Sequence, residues 1–233
     1  MGDIACKKYN IVPYNKLPVL SDAVRDFEYL IDRGYNLSSA LKLVCDRYLL
    51  DSIEKNILQR AVLPIKLCEN LRKKEVFSIS GEYIIIDGYN VINTLYSARK
   101  SKAFISRDSV LRDFAGVYSK FRFNATIESV ISEIIHHIDQ EIPEKIRFIF
   151  DAQVSWSGEL VKKIRKIFSK KAKNIDKRYL YLYTSRFTDR ELRHYGSSAE
   201  GDKTWIVCSS DTGILKYVVH FYDLPRNIAG RYV

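Results

Sequence analysis

The strongest constraint on the fold of this chain is a series of short, continuously apolar runs in its second half, separated by segments of helical periodicity. Such runs are typical of strands that are buried on both faces of a parallel sheet. Because parallel strands need crossover connections, which are mostly helical, the alternation predicts a doubly wound, mostly parallel α/β sheet with Rossmann-like layers. The strand runs are 83–86, 146–150, 179–183, 205–208 and 218–222, and the helical segments are 109–121, 127–140 and 159–170.

The first part of the chain has a different pattern, in which apolar residues recur at the spacing of short helices. A first helix ends at Gly34, a second begins near Ser38, and a third begins near Ser52 and is ended or kinked by Pro64. Residues 71–82 have the composition of a linker. We therefore predict an N-terminal extension over 1–20, a small all-α domain over 21–76 and an α/β domain over 77–233.

Aspartate follows three of the predicted strands. Asp87 and Asp151 come directly after the runs 83–86 and 146–150, and Asp211 follows the run 205–208 after two serines. In a doubly wound sheet, ligands bind in the crevice beyond the carboxyl ends of the strands. Neighbouring strands lie ~4.8 Å apart, so we expect these carboxylates to converge at one edge of the sheet.

Carboxylates that are held close together repel one another, and protons or cations must neutralise them. Oxygen-only ligands suit Mg²⁺ or Mn²⁺, which keep several waters and bind the phosphate of a substrate. Asp87, Asp151 and Asp211 are therefore the predicted metal ligands. An aspartate after a strand also commonly caps the next helix or bonds its own turn, and this second role stays open for each of them.

Most of the excess positive charge lies in one segment, which indicates a nucleic-acid partner. Between positions 160 and 193, twelve lysines and arginines accompany three acids, in a chain whose net charge is +10. Such a segment attracts polyanions, although a lysine-rich helix face can also be merely solvated. Trp156 is expected to stack a base near the carboxylates, or else to pack against its own domain. The residues expected to follow the nucleic-acid backbone are Lys162, Lys163, Arg165 and Lys166.

The remaining composition excludes several other classes of protein. No apolar run approaches the roughly 20 residues of a membrane-spanning helix, and residues 1–10 contain no apolar segment of a secretory signal. The four cysteines have no CxxC spacing, which argues against a zinc ribbon or a disulfide framework. We expect a cytoplasmic protein with no membrane partner, and a homo-oligomer is left open.

Several of these segments resemble known families. The run Asp87-Gly88-Tyr89-Asn90-Val91 is similar to the opening motif of PIN/NYN-type ribonucleases, Phe150-Asp151-Ala152 to their second strand end, and Ser209-Ser210-Asp211 to a later element. The chain from about residue 23 to residue 224 also resembles an archaeal two-part family of unknown function, in which a first domain precedes the PIN-like part. Its matching residues in the first part are Asp26-Phe27-Glu28-Tyr29-Leu30, Asp32-Arg33-Gly34-Tyr35 and Asp46-Arg47-Tyr48.

The resemblance implies a PIN-like fold and a metal-dependent endoribonuclease that hydrolyses phosphodiester bonds of RNA. Asp87 and Asp211 would be the main metal ligands, and Asp151 and Asp113 would complete or flank the catalytic site. Asp113 matches the acidic helix position of the family. The further acid that PIN nucleases carry on the helix before the last core strand has no clear counterpart, because Glu200 and Asp202 are predicted to lie in a loop.

Three more residues in these motifs are candidate substrate contacts. Asn90 would orient Asp87 or contact the scissile phosphate, or it would cap the following helix. Ser210 would offer its hydroxyl or N–H to a phosphate, or it would be a plain turn residue. Arg112, next to Asp113, is the third candidate.

Two other functions fit parts of the sequence. A non-catalytic nucleic-acid-binding protein would use the basic segment, or residues 38–48 as the recognition helix of a helix-turn-helix variant. Residues 22–75 hold ten basic and nine acidic side chains, however, which is a poor balance for gripping a duplex. A phosphatase or nucleotide-binding enzyme is less well supported, because Asp87 lacks a DxD continuation and the chain has no GxGxxG or Walker loop.

Overall fold

The computed structural model describes residues 11–14, 20–114 and 123–230, which form two compact units. The first unit comprises residues up to Lys73 together with Ser97–Gly116. The second comprises Lys74–Tyr96 and Val117–Arg231. A segment from the middle of the sequence therefore belongs to the first unit, which the sequence pattern does not reveal.

The first unit is built on four helices, one more than the sequence predicts. The first helix buries the stripe of Ala23, Val24, Phe27 and Ile31, and ends just before Gly34, whose φ of +84° suits glycine. The fourth begins directly after Pro64 and continues through part of the predicted linker, because Leu71 is fully buried. The helices are α1 (Ser21–Asp32), α2 (Leu37–Tyr48), α3 (Ser52–Ala61) and α4 (Ile65–Lys74).

A small sheet completes the first unit. Strand β1 (Val12–Pro13) pairs in parallel with β3 (Ala103–Ile105), which pairs antiparallel with β4 (Leu111–Asp113). The helix that the sequence predicts over 109–121 is therefore wrong at β4, and residues 115–122 lie outside the described part of the chain.

The physical reason for β4 is a buried ion pair that holds the turn. The guanidinium of Arg112 donates to both carboxylate oxygens of Asp108, at 2.6 and 2.7 Å, and also to Ser106. Ser109, between the two strands, has a φ of +73°. This local network overrides the helical periodicity of the apolar residues nearby.

The second unit is organised around a five-stranded parallel sheet, as the apolar runs predict. Each of the five runs supplies one strand: β2 (Tyr83–Asp87), β5 (Lys145–Asp151), β6 (Leu180–Ser185), β9 (Ile206–Cys208) and β10 (His220–Phe221). The strand order is β10-β9-β2-β5-β6, and every neighbouring pair is parallel. The central strand β2 is buried from Ile84 to its last residue, Asp87.

Helices connect these strands, and two of them lie where the sequence predicts. The helices are α5 (Gly88–Arg99), α6 (Ala125–Glu141), α7 (Ser157–Lys171), α8 (Thr188–Ser197), α9 (Thr212–Leu215) and α10 (Leu224–Ala229). A short hairpin of β7 (Ala199–Glu200) and β8 (Lys203–Thr204) precedes β9. The predicted helices 127–140 and 159–170 correspond to α6 and α7. Among the described residues, no helix is long and apolar enough to cross a membrane.

Candidate functional site

The aspartates that follow the strands lie at the carboxyl edge of the parallel sheet. Asp87 ends the central strand β2, Asp151 ends its neighbour β5, and Asp211 follows the neighbour on the other side, β9. The strands are in register here, since Ile86 pairs with Cys208 and Asp87 pairs with Ile149. The strand pattern therefore predicts correctly which edge of the sheet carries these residues.

Asp87 is a buried carboxylate at the centre of that edge. Only 6% of the residue is exposed. Its Oδ1 accepts a hydrogen bond from the N–H of Asn90 at 3.3 Å, and its Oδ2 accepts one from the hydroxyl of Ser209 at 3.1 Å. The pKa of Asp87 is raised to about 7, mainly by desolvation and also by the negative charges of Asp211 and Asp189, against the effect of these hydrogen bonds.

Asp211 is linked to Asp87 through Ser209. The N–H of Asp211 donates to the hydroxyl oxygen of Ser209 at 3.2 Å, and that hydroxyl donates to Asp87. The carboxylate of Asp211 also caps helix α9, because its Oδ1 accepts from the N–H of Gly213 at 2.7 Å. The capping role that the sequence left open is thus real, and it coexists with the electrostatic coupling to Asp87.

The side chain of Asn90 holds the loop that carries Asp211. Its Oδ1 accepts from the N–H of Ser210 at 2.8 Å and from the hydroxyl of Ser210 at 3.0 Å. Asn90 lies within α5 and is not its cap, whereas its own N–H supports Asp87. Ser210 is buried and both of its donors engage Asn90, so we expect it to position this loop.

Asp151 occupies the other side of the central strand and is half-buried. Its Oδ1 accepts from the N–H of Gln153 at 2.8 Å, in a turn that leads toward α7. Burial raises the pKa of Tyr89 to about 12, and the negative charge of Asp151 adds to this shift. Because Tyr89 is two residues beyond Asp87, this effect shows that the charge of Asp151 reaches the start of α5.

Sequence reasoning missed Asp189, which lies in the first turn of α8, just beyond strand β6. It is exposed, and its negative charge contributes to the raised pKa of Asp87. The two acids that the sequence analysis considered for the further acid, Glu200 and Asp202, lie elsewhere. Glu200 is in β7, where it accepts from Lys145 and from the indole of Trp205, and Asp202 lies in the following turn. The sequence feature that could have identified Asp189 is an acid four residues after Ser185, the last residue of β6.

The carboxylates do not form a compact three-residue metal site. Across residues 11–14, 20–114 and 123–230, no three His, Cys, Asp or Glu side chains lie close enough together to hold one ion. Over the same part of the chain, no Lys, Arg or His forms a salt bridge with Asp87. The edge of the sheet thus holds a buried carboxylate that is coupled to other acids and has no basic partner.

Two of the expected site residues belong to the first unit and have structural partners there. Asp113 is in strand β4, not on a helix, and its Oδ1 accepts from Arg60 at 2.7 Å. Arg112 is buried in the ion pair with Asp108. The helical position expected for Asp113 is wrong, and because both charges are compensated within the hairpin and α3, we expect structural roles for the two side chains.

The basic residues of α7 are exposed, and three of the four that are predicted to follow the nucleic-acid backbone have partners. Lys162 pairs with Glu159 at 2.8 Å, the ammonium of Lys163 lies 4.2 Å from the ring centre of Phe123, and Arg165 donates to the carbonyl of Leu182 at 3.1 Å. Lys166 is exposed on the same helix. The apolar side of α7 is buried as predicted, so the basic side faces outward. Trp156, at the start of α7, is 81% exposed and does not pack into the core.

Comparisons with known proteins identify a two-part family. Residues 19–74 match the model of a protein of unknown function (DUF434), and residues 76–227 match a domain of unknown function (DUF5616). The chain is 33% identical over 207 residues to the uncharacterized protein MJ0935 of Methanocaldococcus jannaschii, a match that covers 86% of this chain and 93% of that protein. No solved structure matches. The chain therefore belongs to the family of proteins that carry the DUF5616 domain, here preceded by the DUF434 region.

Proposed function

We propose that this protein is a divalent-metal-dependent nuclease of the PIN/NYN kind that hydrolyses RNA at the carboxyl edge of its parallel sheet. The observation that carries the proposal is Asp87, a buried carboxylate without a basic partner among the described residues, whose pKa is raised to about 7. A buried acid of this kind destabilises the fold when ionised, unless a cation neutralises it. Strongly perturbed carboxylates in such positions are typical of functional sites.

The donor set fits Mg²⁺ or Mn²⁺. These ions take oxygen ligands, and Mg²⁺ is usually held by one or two protein carboxylates plus waters and substrate phosphates, so a third close carboxylate is not required. Asp87 and Asp211 are the proposed ligands, because Ser209 links them and their charges are coupled. Both oxygens of Asp87 and the Oδ1 of Asp211 accept one described hydrogen bond each, so they keep lone-pair capacity for a cation.

The surrounding residues would position the reacting phosphate. Asp151 and Asp189 add negative charge on the side of β5 and β6, which attracts the cation to the edge. The amide oxygen of Asn90 is occupied by Ser210, so its amide nitrogen is the part that can donate to a phosphate oxygen. When bound, the cation supplies positive charge to the phosphoryl oxygens and lowers the pKa of water.

The outward face of α7 supplies the electrostatic attraction for the polymer. Lys166 is exposed, and the exposed pair of Lys162 and Glu159 is weak enough to be exchanged for a phosphate contact. The resemblance of the run from Asp87 to Val91 to PIN/NYN ribonucleases supports RNA as the polymer.

The test is cleavage of labelled single-stranded RNA in Mn²⁺ or Mg²⁺ by the wild type, by Asp87→Asn and by Asp202→Asn. Asparagine keeps the shape of Asp87 and removes its charge, so we expect cleavage to be lost. Asp202 is an exposed aspartate of the same unit, and its variant should cleave like the wild type. Equal cleavage by Asp87→Asn and the wild type, or no cleavage by either, removes the nuclease proposal.

A second function is supported by the exposed basic face of α7. This face would suit a nucleic-acid-binding protein without catalysis equally well. Such a protein would shift RNA in a salt-sensitive way through the basic face of α7, and the shift would survive Asp87→Asn without any cleavage. A helix-turn-helix role for α2 is the weaker form of this alternative.

A further inference from the structure

Two large aromatic side chains are exposed to solvent beyond the carboxyl ends of adjacent strands. Trp156 immediately precedes α7, which follows β5, and Phe187 immediately precedes α8, which follows β6. They are 81% and 64% exposed. The strands are paired up to their last residues, Asp151 and Ser185, so both aromatics lie in the first few residues beyond one stretch of the sheet edge.

Neither side chain is explained by what it does for the fold. The position before a helix is where a short polar residue usually accepts a hydrogen bond from the first turn, and losing that bond costs about 1 kcal/mol. Asn36, Asp51 and Asn124 act in this way before α2, α3 and α6, whereas Trp156 and Phe187 form no such bond.

Another helix without a side-chain cap shows how burial of the preceding residue can compensate for the missing hydrogen bond. Leu20 precedes α1 and also makes no capping bond, but it is only 2% exposed, so burial of its side chain accounts for it. Trp156 has no such compensation, and in addition its φ is +68°, a conformation that costs a bulky residue about 1 kcal/mol or more. An asparagine, which adopts this conformation more readily, would relieve the strain at position 156.

The charge around the two rings is suited to a polyanion. Arg186 and Arg190, on either side of Phe187, are both exposed, and within the described ranges neither forms a salt bridge. The exposed lysines of α7 begin six residues after Trp156. On the same edge lie Asp151, five residues before Trp156, and Asp189, two residues after Phe187. The segments that carry the two rings at this edge thus also carry arginines and aspartates.

We propose that Trp156 and Phe187 form a stacking platform for unpaired bases, with Arg186 and Arg190 contacting the neighbouring phosphates. The proposal rests on the proposed function in one respect, which is that the polymer is a nucleic acid. Every base offers a flat π-face, so stacking on aromatic side chains tolerates any sequence but requires that the base be unpaired. The platform would thus exclude duplexes and place the backbone of an unstacked segment beside Asp87 and Asp151.

The platform can be tested by binding alone, without cleavage. The full chain, in EDTA so that no metal supports hydrolysis, is titrated with a fluorescently labelled oligouridylate and with an RNA duplex of equal length. The variants are Trp156→Asn, which suits the positive φ of its position, and Phe187→Ser, and the melting temperature of each is compared with that of the wild type to separate loss of binding from loss of folding. Tyr179→Ser is the matched control, an exposed aromatic at the amino end of β6.

We expect each platform variant to weaken binding of the unpaired oligonucleotide on the order of tenfold, and the control to leave it unchanged. Duplex binding, which depends on the basic residues, should be weak and equal in all four proteins. The platform is overturned if both variants bind the oligouridylate like the wild type, if duplex binding falls equally, or if the wild type binds neither RNA. Failure of the nuclease proposal would appear separately, in the cleavage assay with Asp87→Asn.

Discussion

The amide oxygen of Asn90 accepts two hydrogen bonds from Ser210, one from its backbone N–H at 2.8 Å and one from its hydroxyl at 3.0 Å. Through these bonds, the helix that follows the central strand holds the loop that follows the neighbouring strand. Asp87 and Asp211 lie one turn before Asn90 and one residue after Ser210, so the distance between the two carboxylates depends on this contact.

Asn90→Ala should therefore destabilise the protein and impair the site. The buried N–H of Ser210 would lose its partner, which costs about 1–3 kcal/mol. Urea denaturation at neutral pH measures the loss. Ser210→Ala removes the hydroxyl, with its bond to Asn90 and its 3.5 Å contact with the hydroxyl of Thr94, but keeps the N–H, and is the matched control, with a smaller expected loss of about 1 kcal/mol. Equal stability of Asn90→Ala and the wild type would mean that this contact does not hold the loop.

The pKa of Asp87 predicts how the free energy of unfolding changes with pH. The folded pKa of about 7 lies above the unfolded value near 4, so the folded state binds the extra proton between these values. The stability that this proton confers is fully present below pH ~4 and is lost as the pH rises through ~7. Above that, the folded state must bury a charge, at a cost of a few kcal/mol, since each pKa unit corresponds to about 1.4 kcal/mol.

Asp87→Asn should abolish that slope. Without divalent metal, we expect the variant to be more stable than the wild type at pH 8. Near pH 4, where Asp87 is protonated in the folded state, its titration should contribute least to the difference in stability between the two proteins. Thermal melts across this range provide the measurement. A wild type whose stability rises from pH 5 to pH 8 relative to Asp87→Asn contradicts the assignment.

Added Mn²⁺ or Mg²⁺ should restore the folding stability that the buried charge of Asp87 costs at neutral pH. An ion that binds only the folded state stabilises it by about 2.7 kcal/mol at a hundred times its Kd. We expect a rise in melting temperature for the wild type and for Asp202→Asn, and little or none for Asp87→Asn or Asp211→Asn. A rise of the same size in all four proteins would place the ion elsewhere.

The strands and their edge were predictable because a doubly buried strand needs a continuous apolar run, and the carboxyl ends of parallel strands share one edge. The runs that became β2, β5 and β9 thus also placed Asp87, Asp151 and Asp211. The same local reasoning failed for 109–113, where the apolar spacing favours a helix and the ion pair of Arg112 with Asp108 imposes a turn and a strand. A partner four residues away can be recognised only when burial is known.

The acid Asp189 escaped prediction for a related reason. The helical pattern of α8 is short and poor in apolar residues, so its first turn could not be located from the sequence. Once β6 is known to end at Ser185, the position of Asp189 beyond the sheet edge follows. Asp113, which the resemblance matched to a helix, instead lies in a strand of the first unit, because the ion pair of Arg112 with Asp108 holds the turn before it.

Asp113 and Arg112 should matter for folding and not for chemistry. Asp113→Asn removes a half-buried ion pair with Arg60, for which we expect a loss of about 1 kcal/mol and unchanged RNA cleavage. Arg112→Met leaves the fully buried Asp108 without its partner, which typically costs 3–5 kcal/mol. Urea denaturation and the cleavage assay separate the two effects. Loss of cleavage in a fully folded Asp113→Asn protein would restore its catalytic assignment.

Trp156→Asn should stabilise the protein while it weakens binding. Asparagine adopts the positive φ of this position more readily than tryptophan does, so relief of strain should add about 1 kcal/mol. Thermal or urea denaturation measures the gain, and Trp205, which is buried, remains as the fluorescent reporter of unfolding. An unchanged or lower stability would mean that Trp156 supports the fold after all. A gain in stability paired with a loss of affinity is expected of a residue kept for its ligand, because selection for folding alone would have replaced it.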